Sequence, residues 1–308
     1  MVRKIILLIA AYFFFSCGKK DKLPLINDLT DLDGEIIVDS SLITPELFLL
    51  SAAITSPTAD DLQKPVVITV HGFSASNFEW QELGSYLKPK NVLVSKVLLG
   101  GHGRNYEAFR KATWTDWQQP ILNEYDKLVR LGYTNVNFVA SSTGCPLVLD
   151  LVRSGKISLE QVHNIVFVDP IIVPSNKQLS LAPLVGGTVI HYTESGLDEG
   201  EHGYWYKYRP QEALKELNDL TKKMRKDLEK GIILPDHIKT LVYKSEHDGS
   251  ADPVSAVLLE KGLRNCSVTI VASQLHVFTR LKARPTVTEA DSTLQKNTFE
   301  EISEIIQK

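Results

Sequence analysis

The side chains in this sequence whose types could do chemistry together are a serine, an acid and a histidine, each at the end of an apolar run. Ser142 lies in Ala140-Ser141-Ser142-Thr143-Gly144, after the apolar run that starts at Val136 and before the second run, Pro146 to Val152. Asp248 follows His237–Tyr243 through a polar turn, and His276 follows Ser267–Val271 in the same way. A serine hydroxyl is a weak nucleophile until a neighbouring imidazole takes its proton. An imidazole does this reliably only when a carboxylate holds its tautomer and stabilises the imidazolium. The three residues therefore suit nucleophilic acyl chemistry, with Ser142 attacking, His276 as base and Asp248 orienting it. Asp252 competes for the acidic role, but it precedes Pro253 and an apolar helix, where N-capping accounts for it better. Glu246, still nearer the strand, is a third candidate. Alone, the serine pentad also reads as a strand end with no chemistry; the joint order and placement of the three turns favours the chemical reading.

These residues need a frame that brings strand ends together. Pro65–Val70, Val92–Val97, Val136–Ala140, Asn164–Asp169, His237–Tyr243 and Ser267–Val271 read as buried strands. Helical spacing is expected over Phe78–Leu87, from Trp114 to about Arg130 with Thr115 or Asp116 near its cap, and over Pro146–Val152, Pro210 to about Lys230, and Thr293–Lys308. Residues 285–292 read as loop. Strands alternating with helices predict an α/β fold, a mostly parallel sheet with helices on both faces. Such a sheet gathers the C-terminal ends of its strands on one edge. The strand-to-helix passage at Ser142 is so short that small residues are required around it. His71, directly after Val70, reads as a residue that holds a turn rather than a proton carrier. Rhythm is lost between about 171 and 235, which reads as a small cap insertion. Its aromatic cluster, Tyr204-Trp205-Tyr206-Lys207-Tyr208, suits either an acyl pocket or packing of cap on body.

Of the 308 residues, 43% are hydrophobic and 23% charged, an ordinary globular composition with material for a large core. A formal net charge of −3 with no long basic run gives no argument for nucleic acid. The N-terminus is distinct. Arg3 and Lys4 precede the apolar run Ile5–Phe15, and Ser16-Cys17-Gly18 follows. This reads as an export signal, too short and too abruptly ended for a comfortable membrane span. Phe14-Phe15-Ser16-Cys17 resembles a bacterial lipobox, which implies cleavage before Cys17 and lipidation of its thiol. Simple secretion and an uncleaved anchor are the alternatives. The expected organisation is a signal peptide at 1–16, a tether at 17–33 and one domain over 34–308, with first strands at 34–38 and 47–50. The expected location is that of an exported bacterial lipoprotein, periplasmic or at the cell surface and held to the membrane by Cys17. Cys145 and Cys266 fit no metal motif and are expected as buried free thiols.

His71-Gly72-Phe73-Ser74-Ala75-Ser76, Gly101-His102-Gly103, Trp114-Thr115-Asp116-Trp117, the serine pentad and Asp248-x-x-x-Asp252-Pro253 together resemble the carboxylesterase and monoacylglycerol lipase branch of the α/β hydrolases. The resemblance spans roughly residues 65–277. It implies the α/β-hydrolase fold, a triad of Ser142, Asp248 and His276, and oxyanion-hole amides at Phe73 and Thr143. It also implies short- to medium-chain carboxylic esters or monoacylglycerols as substrates, with no metal or cofactor. This sequence departs from the family at three points: Ala140 replaces the first glycine of G-x-S-x-G, Thr143 stands where methionine or glutamine is frequent, and no glycine precedes His276. The same triad would serve a thioesterase or acyltransferase, and a non-catalytic lipoprotein binding lipid or a partner is a reading from another class.

Overall fold

The structure, a computed structural model, describes residues 51–175 and 192–308. The expected signal peptide, tether, Cys17 and the strands at 34–38 and 47–50 lie outside the described residues. After a short helix α1 (Ala59–Leu62), strand β1 (Val66–Val70) leads through a 3₁₀ turn to helix α2 (Gln81–Leu87). Strand β2 (Leu93–Val97) follows, then helices α3 (Tyr106–Lys111) and α4 (Trp114–Leu131). Strand β3 (Val136–Ser141) enters helix α5 (Gly144–Ser154), and β4 (Val162–Val168) closes this half. A small antiparallel pair, β5 (Tyr192–Glu194) and β6 (Tyr208–Pro210), precedes the long helix α6 (Gln211–Lys230). The sheet resumes with β7 (Lys239–Ser245), helix α7 (Val254–Gly262) and β8 (Cys266–Val271), and the chain ends in helix α8 (Glu289–Ile306). Among the described residues, no helix is long and apolar enough to cross a membrane.

Six strands pair in the order β2-β1-β3-β4-β7-β8, every pair parallel. All their C-terminal ends therefore share one edge. Strand alternation divides the side chains between two cores. Val66, Ile68, Val70, Phe138 and Phe167 meet Trp117, Leu128, Leu147, Leu151, Leu220 and Met224 of α4, α5 and α6. Val67, Val139, Val166 and Val168 point the other way, against Trp80, Leu83 and Leu87 and against Phe299, Ile302 and Ile306 of α8. With both faces covered, β1 and β3 are buried at every position, which is why they read as continuous apolar runs.

The structure moves several expected boundaries. Helix α4 is capped by Thr113, not Thr115 or Asp116. The Thr113 hydroxyl accepts from the Asp116 amide while the Asp116 carboxylate accepts from the Thr113 amide, a reciprocal box. Helix α8 begins at Glu289 within the expected loop, because Thr288 and Asp291 form the same box. Lys244, expected in a polar turn, belongs to β7 and is fully buried. Cys266 opens edge strand β8 and is only half-buried, whereas Cys145 is buried as expected.

Two neutral histidines tie the loops beyond β1 and β2. His71 Nδ1 donates to the Gly72 carbonyl at 2.9 Å, and its Nε2 accepts from the Leu99 amide at 3.1 Å. His102 Nδ1 donates to the Gly100 carbonyl at 3.2 Å, and its Nε2 accepts from the Ser74 amide at 3.3 Å. Each ring spends its one acceptor nitrogen on a backbone amide, so protonation would break a bond as well as bury a charge. Burial pushes His102 from its ordinary 6.5 down to about 4, and pushes His71 well below that ordinary value with help from His102. The unfolded chain takes up these protons first as pH drops, so the stability they contribute falls between pH 6.5 and about 4. For His102 the loss is about 3 kcal/mol. Glu79 has the opposite sign, since burial raises its pKa above 4.5 and its contribution is lost as pH rises. Thermal unfolding followed from pH 7.5 to pH ~4.5 should show a falling Tm, and His102→Gln should flatten that slope.

Candidate active site

Ser142 sits at the apex between β3 and α5 with φ +47°, in the left-handed region. Three backbone hydrogen bonds hold it there: its amide donates to Val168 O at 3.0 Å, and its carbonyl accepts from Cys145 and Ile171, both at 3.2 Å. The turn is possible because glycines flank it in space. A Cβ on Gly144 would lie 2.5 Å from Val70 O and 2.9 Å from His71 O. A Cβ on Gly72 would lie 3.0 Å from Ser142 Cβ. The second pentad glycine is therefore a packing requirement of α5 against the end of β1. Ala140, where the family pattern has glycine, is fully buried in the core without such a clash.

The structure brings Ser142, Asp248 and His276 together. His276 Nε2 lies 2.9 Å from Ser142 Oγ, and His276 Nδ1 lies 2.8 Å from Asp248 Oδ2. A proton on Nδ1 donates to the carboxylate and leaves Nε2 to accept from the hydroxyl. Asp248 is saturated: Oδ1 accepts from the Ser250 amide at 2.7 Å and the Ala251 amide at 3.2 Å, while Oδ2 also accepts from Lys244 Nζ at 2.7 Å. Burial acts to raise its pKa, but hydrogen bonds and charge from His276, with Lys244 and Ser250, outweigh it and hold the carboxyl well below the usual range. The competitors stand elsewhere. Asp252 Oδ1 accepts from the Val254 amide at 2.9 Å, the helix-start role expected of it. Glu246 and its neighbour His247 are exposed on the surface.

Phe73 and Thr143 both line the cavity above Ser142. Among the described residues, neither amide has an acceptor within the protein. Two free N–H groups beside a serine Oγ are what a developing oxyanion would need.

Three residues around the site were not anticipated from the sequence. Asp169, φ +46°, is fully buried and accepts from the Ser245 amide and hydroxyl, the Val277 and Phe278 amides, and Lys244. Lys244 Nζ bridges Asp169 at 3.2 Å and Asp248 at 2.7 Å. Glu79 is buried beside the site, where it accepts from the Gly72 amide at 3.0 Å and from the Ser141 hydroxyl. Buried acids and a lysine near strand ends carry no periodic signal, since their residue types ordinarily mark surface. Asp169, Asp248 and His276 bring possible metal ligands within 4.8 Å of one another. The Lys244 ammonium already occupies the cationic position between the two carboxylates.

The cavity over Ser142 has a volume of about 410 Å³. Its walls come from the Gly72 turn, the His276 loop and the segment joining β4 to β7. The aromatic cluster of that segment divides its work. Tyr206 is fully buried and stacks on Phe109 with ring centres 4.5 Å apart, so it packs the segment onto the body. Trp205 faces the cavity.

No family model matches the chain. Its fold is similar to that of solved lipolytic enzymes. One structure, from work on the metagenome-derived lipolytic enzymes LipS and LipT, is 16% identical, with a TM-score of 0.64 over 78% of this chain and 94% of that one. The monoacylglycerol lipase of Paleococcus ferrophilus is 15% identical, with a TM-score of 0.61 over 79% of this chain and 96% of its own. A soluble variant of the monoglyceride lipase of Saccharomyces cerevisiae, bound to a substrate analogue, is 12% identical, with a TM-score of 0.62 over 79% and 87%. The six-stranded parallel sheet, its helices on both faces and these likenesses establish that the chain has the α/β-hydrolase fold.

Proposed function

We propose that this protein is a serine hydrolase of carboxylic esters, with Ser142 as nucleophile, His276 as general base and acid, and Asp248 orienting the imidazole. The observation that carries the reading is the unbroken chain Ser142 Oγ–His276–Asp248, with bonds of 2.9 and 2.8 Å, at the floor of a cavity. Ser142 Oγ attacks the ester carbonyl carbon as its proton passes to His276 Nε2. The amides of Phe73 and Thr143 hold the oxygen that becomes negative, each donor contributing ~2.7–4 kcal/mol to barrier lowering. The carbon–oxygen bond to the alcohol then breaks, and His276 returns the proton to the departing alkoxide. Water attacks the acyl-enzyme with His276 as base, and the acid leaves as Ser142 regains its proton. The segment between β4 and β7 acts as a cap over this site, and short- to medium-chain esters or monoacylglycerols are the substrate class.

A fluorophosphonate probe should label the wild type and fail to label Ser142→Ala. p-Nitrophenyl ester turnover should fall by about 10⁶-fold in that variant and by about 10⁴-fold in Asp248→Asn. A folded wild type that neither labels nor turns over any such ester refutes the proposal.

Lys244 supports the same site through Asp248. Lys244→Met leaves two buried carboxylates facing each other without a counter-charge. Removing one partner of a buried ion pair typically costs 3–5 kcal/mol, so urea denaturation should show a loss of about that size.

The N-terminal sequence supports an exported lipoprotein, anchored by acyl chains on Cys17 after cleavage of residues 1–16, with 17–33 as a tether. Radiolabelled palmitate should be incorporated in a bacterial host and absent from Cys17→Ser. A secreted, unlabelled wild type would refute the anchor while leaving the esterase reading untouched.

A further inference from the structure

The catalytic cavity is lined by three arginines, Arg209, Arg280 and Arg284, among apolar residues such as Ile171, Leu197, Leu214 and Leu217. A cavity built only for neutral acyl chains has no use for guanidinium groups, whose burial costs free energy unless an anion compensates them.

The three are not equivalent. Arg280 is compensated: its Nη2 donates to Glu201 at 2.6 Å, and its guanidinium lies 4.6 Å from the centre of the Trp205 ring. Arg284 is held by carbonyls alone, with Nε donating to Arg280 O at 2.8 Å and Nη2 to His276 O at 2.5 Å. Arg209 projects from β6, and its Nε, like that of Arg280, is sealed from solvent without a hydrogen-bond partner. Among the described residues, neither Arg209 nor Arg284 has a carboxylate within 4 Å; Arg280–Glu201 is the cavity's arginine–carboxylate pair.

The other acids on the cavity wall make no direct ion pair with either arginine among the described residues. Glu79 is spent on the Gly72 amide and the Ser141 hydroxyl, and burial drives it toward its neutral form. Asp198 stands at the start of the 3₁₀ turn Glu199–Glu201 and forms no ion pair within 4 Å among the described residues. The sequence from 176 to 191 contains no Asp or Glu. Burial pulls Arg284 down to about 10, with Arg280 repelling it, against the longer-range attraction of Glu201, Glu79 and Asp198; burial also lowers Arg209 against the attraction of Glu201. Arg209 and Arg284 thus line the cavity over Ser142 with no carboxylate within 4 Å among the described residues.

We infer that the ester taken by this site carries an anionic group, a carboxylate or a phosphate, seated between Arg209 and Arg284. The inference rests on the serine-esterase reading and sharpens its substrate class. The guanidinium fork suits either group, donating two parallel hydrogen bonds to a pair of oxygens. A cavity of about 410 Å³ leaves room for a short chain between the ester carbonyl and that anion.

The test compares matched esters by titrating released acid at constant pH and low salt. Monomethyl glutarate is set against its neutral half-amide, methyl 4-carbamoylbutanoate. Monobutyrylglycerol 3-phosphate is set against monobutyrylglycerol. The expected result is a kcat/KM at least tenfold higher for the anionic member of one pair, and which pair responds identifies carboxylate or phosphate. Arg209→Gln should lower that anionic-to-neutral ratio at least tenfold, and Arg209→Lys should restore part of it. Raising the salt to about 0.5 M should narrow the ratio in the wild type. Turnover of the neutral esters with no anionic preference, or a preference unmoved in Arg209→Gln, overturns this inference and leaves the esterase reading standing. Absence of all turnover together with absence of fluorophosphonate labelling overturns that reading and this inference with it.

Discussion

One buried carboxylate holds together the edge of the sheet that carries Ser142, Asp248 and His276. Asp169 leaves the end of β4 in a left-handed conformation and turns its oxygens toward the ends of β7 and β8. There it accepts from the backbone of Ser245, three residues before Asp248, and of Val277, next to His276. The acid and the imidazole come from different loops, yet both loops are fastened to the same two oxygens. Lys244 makes the arrangement electrostatically tolerable, since its ammonium sits between Asp169 and Asp248 in a site closed to water. Two buried carboxylates this close would otherwise drive one of them to take up a proton. A protonated Asp248 would be a poorer partner for an imidazolium. With His276, the larger influence, and the Ser250 amide, the lysine helps hold Asp248 ionised from 2.7 Å, outside the bond to His276.

Strain gathers where this network meets the cavity. Among the described residues, seven non-glycine residues have positive φ, and Ser74, Ser142, Asp169 and Val277 are the four at the site. Each such conformation costs on the order of 1–3 kcal/mol and persists only where its surroundings over-determine it. The surroundings here are specific. The Ser74 amide donates to His102, the Ser142 amide to Val168, and the Val277 amide to Asp169. The strained turns are each anchored by a hydrogen bond from the residue that carries the strain. The close packing of Gly72 against Ser142 and of Gly144 against the end of β1 then fixes the turn from which Ser142 Oγ reaches His276.

How much of this is legible in sequence depends on whether the signal is local. β1, β3 and β4 are apolar on both faces, so they read as strands without any knowledge of partners. Ser142, Asp248 and His276 stand just past strand ends, and chain order alone suggested that a parallel sheet would gather them, as the distances now place them. The capping boxes at Thr113 and Thr288 are equally local, four-residue patterns that fix helix starts, yet apolar periodicity alone puts the first cap at Thr115 or Asp116 and the second start at Thr293. Lys244, Asp169 and Glu79 were not legible. A lysine at a strand end ordinarily faces water, and only the pairing of β4 with β7 brings Asp169 to it. The arginines of the cavity fail for the same reason: Arg209, Arg280 and Arg284 read as surface until the segment between β4 and β7 folds over Ser142.

The site is therefore assembled from two halves with different physics. The sheet half is rigid, with glycine contacts and saturated hydrogen bonds, and it presents the hydroxyl, imidazole and free amides. The other half comes from the chain between β4 and β7 and from the loop after His276. It is joined to the body by Tyr206, whose ring stacks on Phe109 and whose hydroxyl accepts from the Arg104 amide at 2.9 Å. It is joined to the His276 loop by the Glu201–Arg280 pair. Arg284 belongs to both, because it holds the carbonyls of His276 and Val277 while its charge faces the cavity. A group seated against Arg284 would thus touch the loop that carries the imidazole as well as the wall. On the proposed reading, recognition and proton transfer would be coupled through one side chain, one that neither fold nor triad requires. On that reading the chemistry belongs to the sheet edge, whose outline this chain shares with solved structures of the α/β-hydrolase fold. The selectivity would then belong to residues it places over that edge.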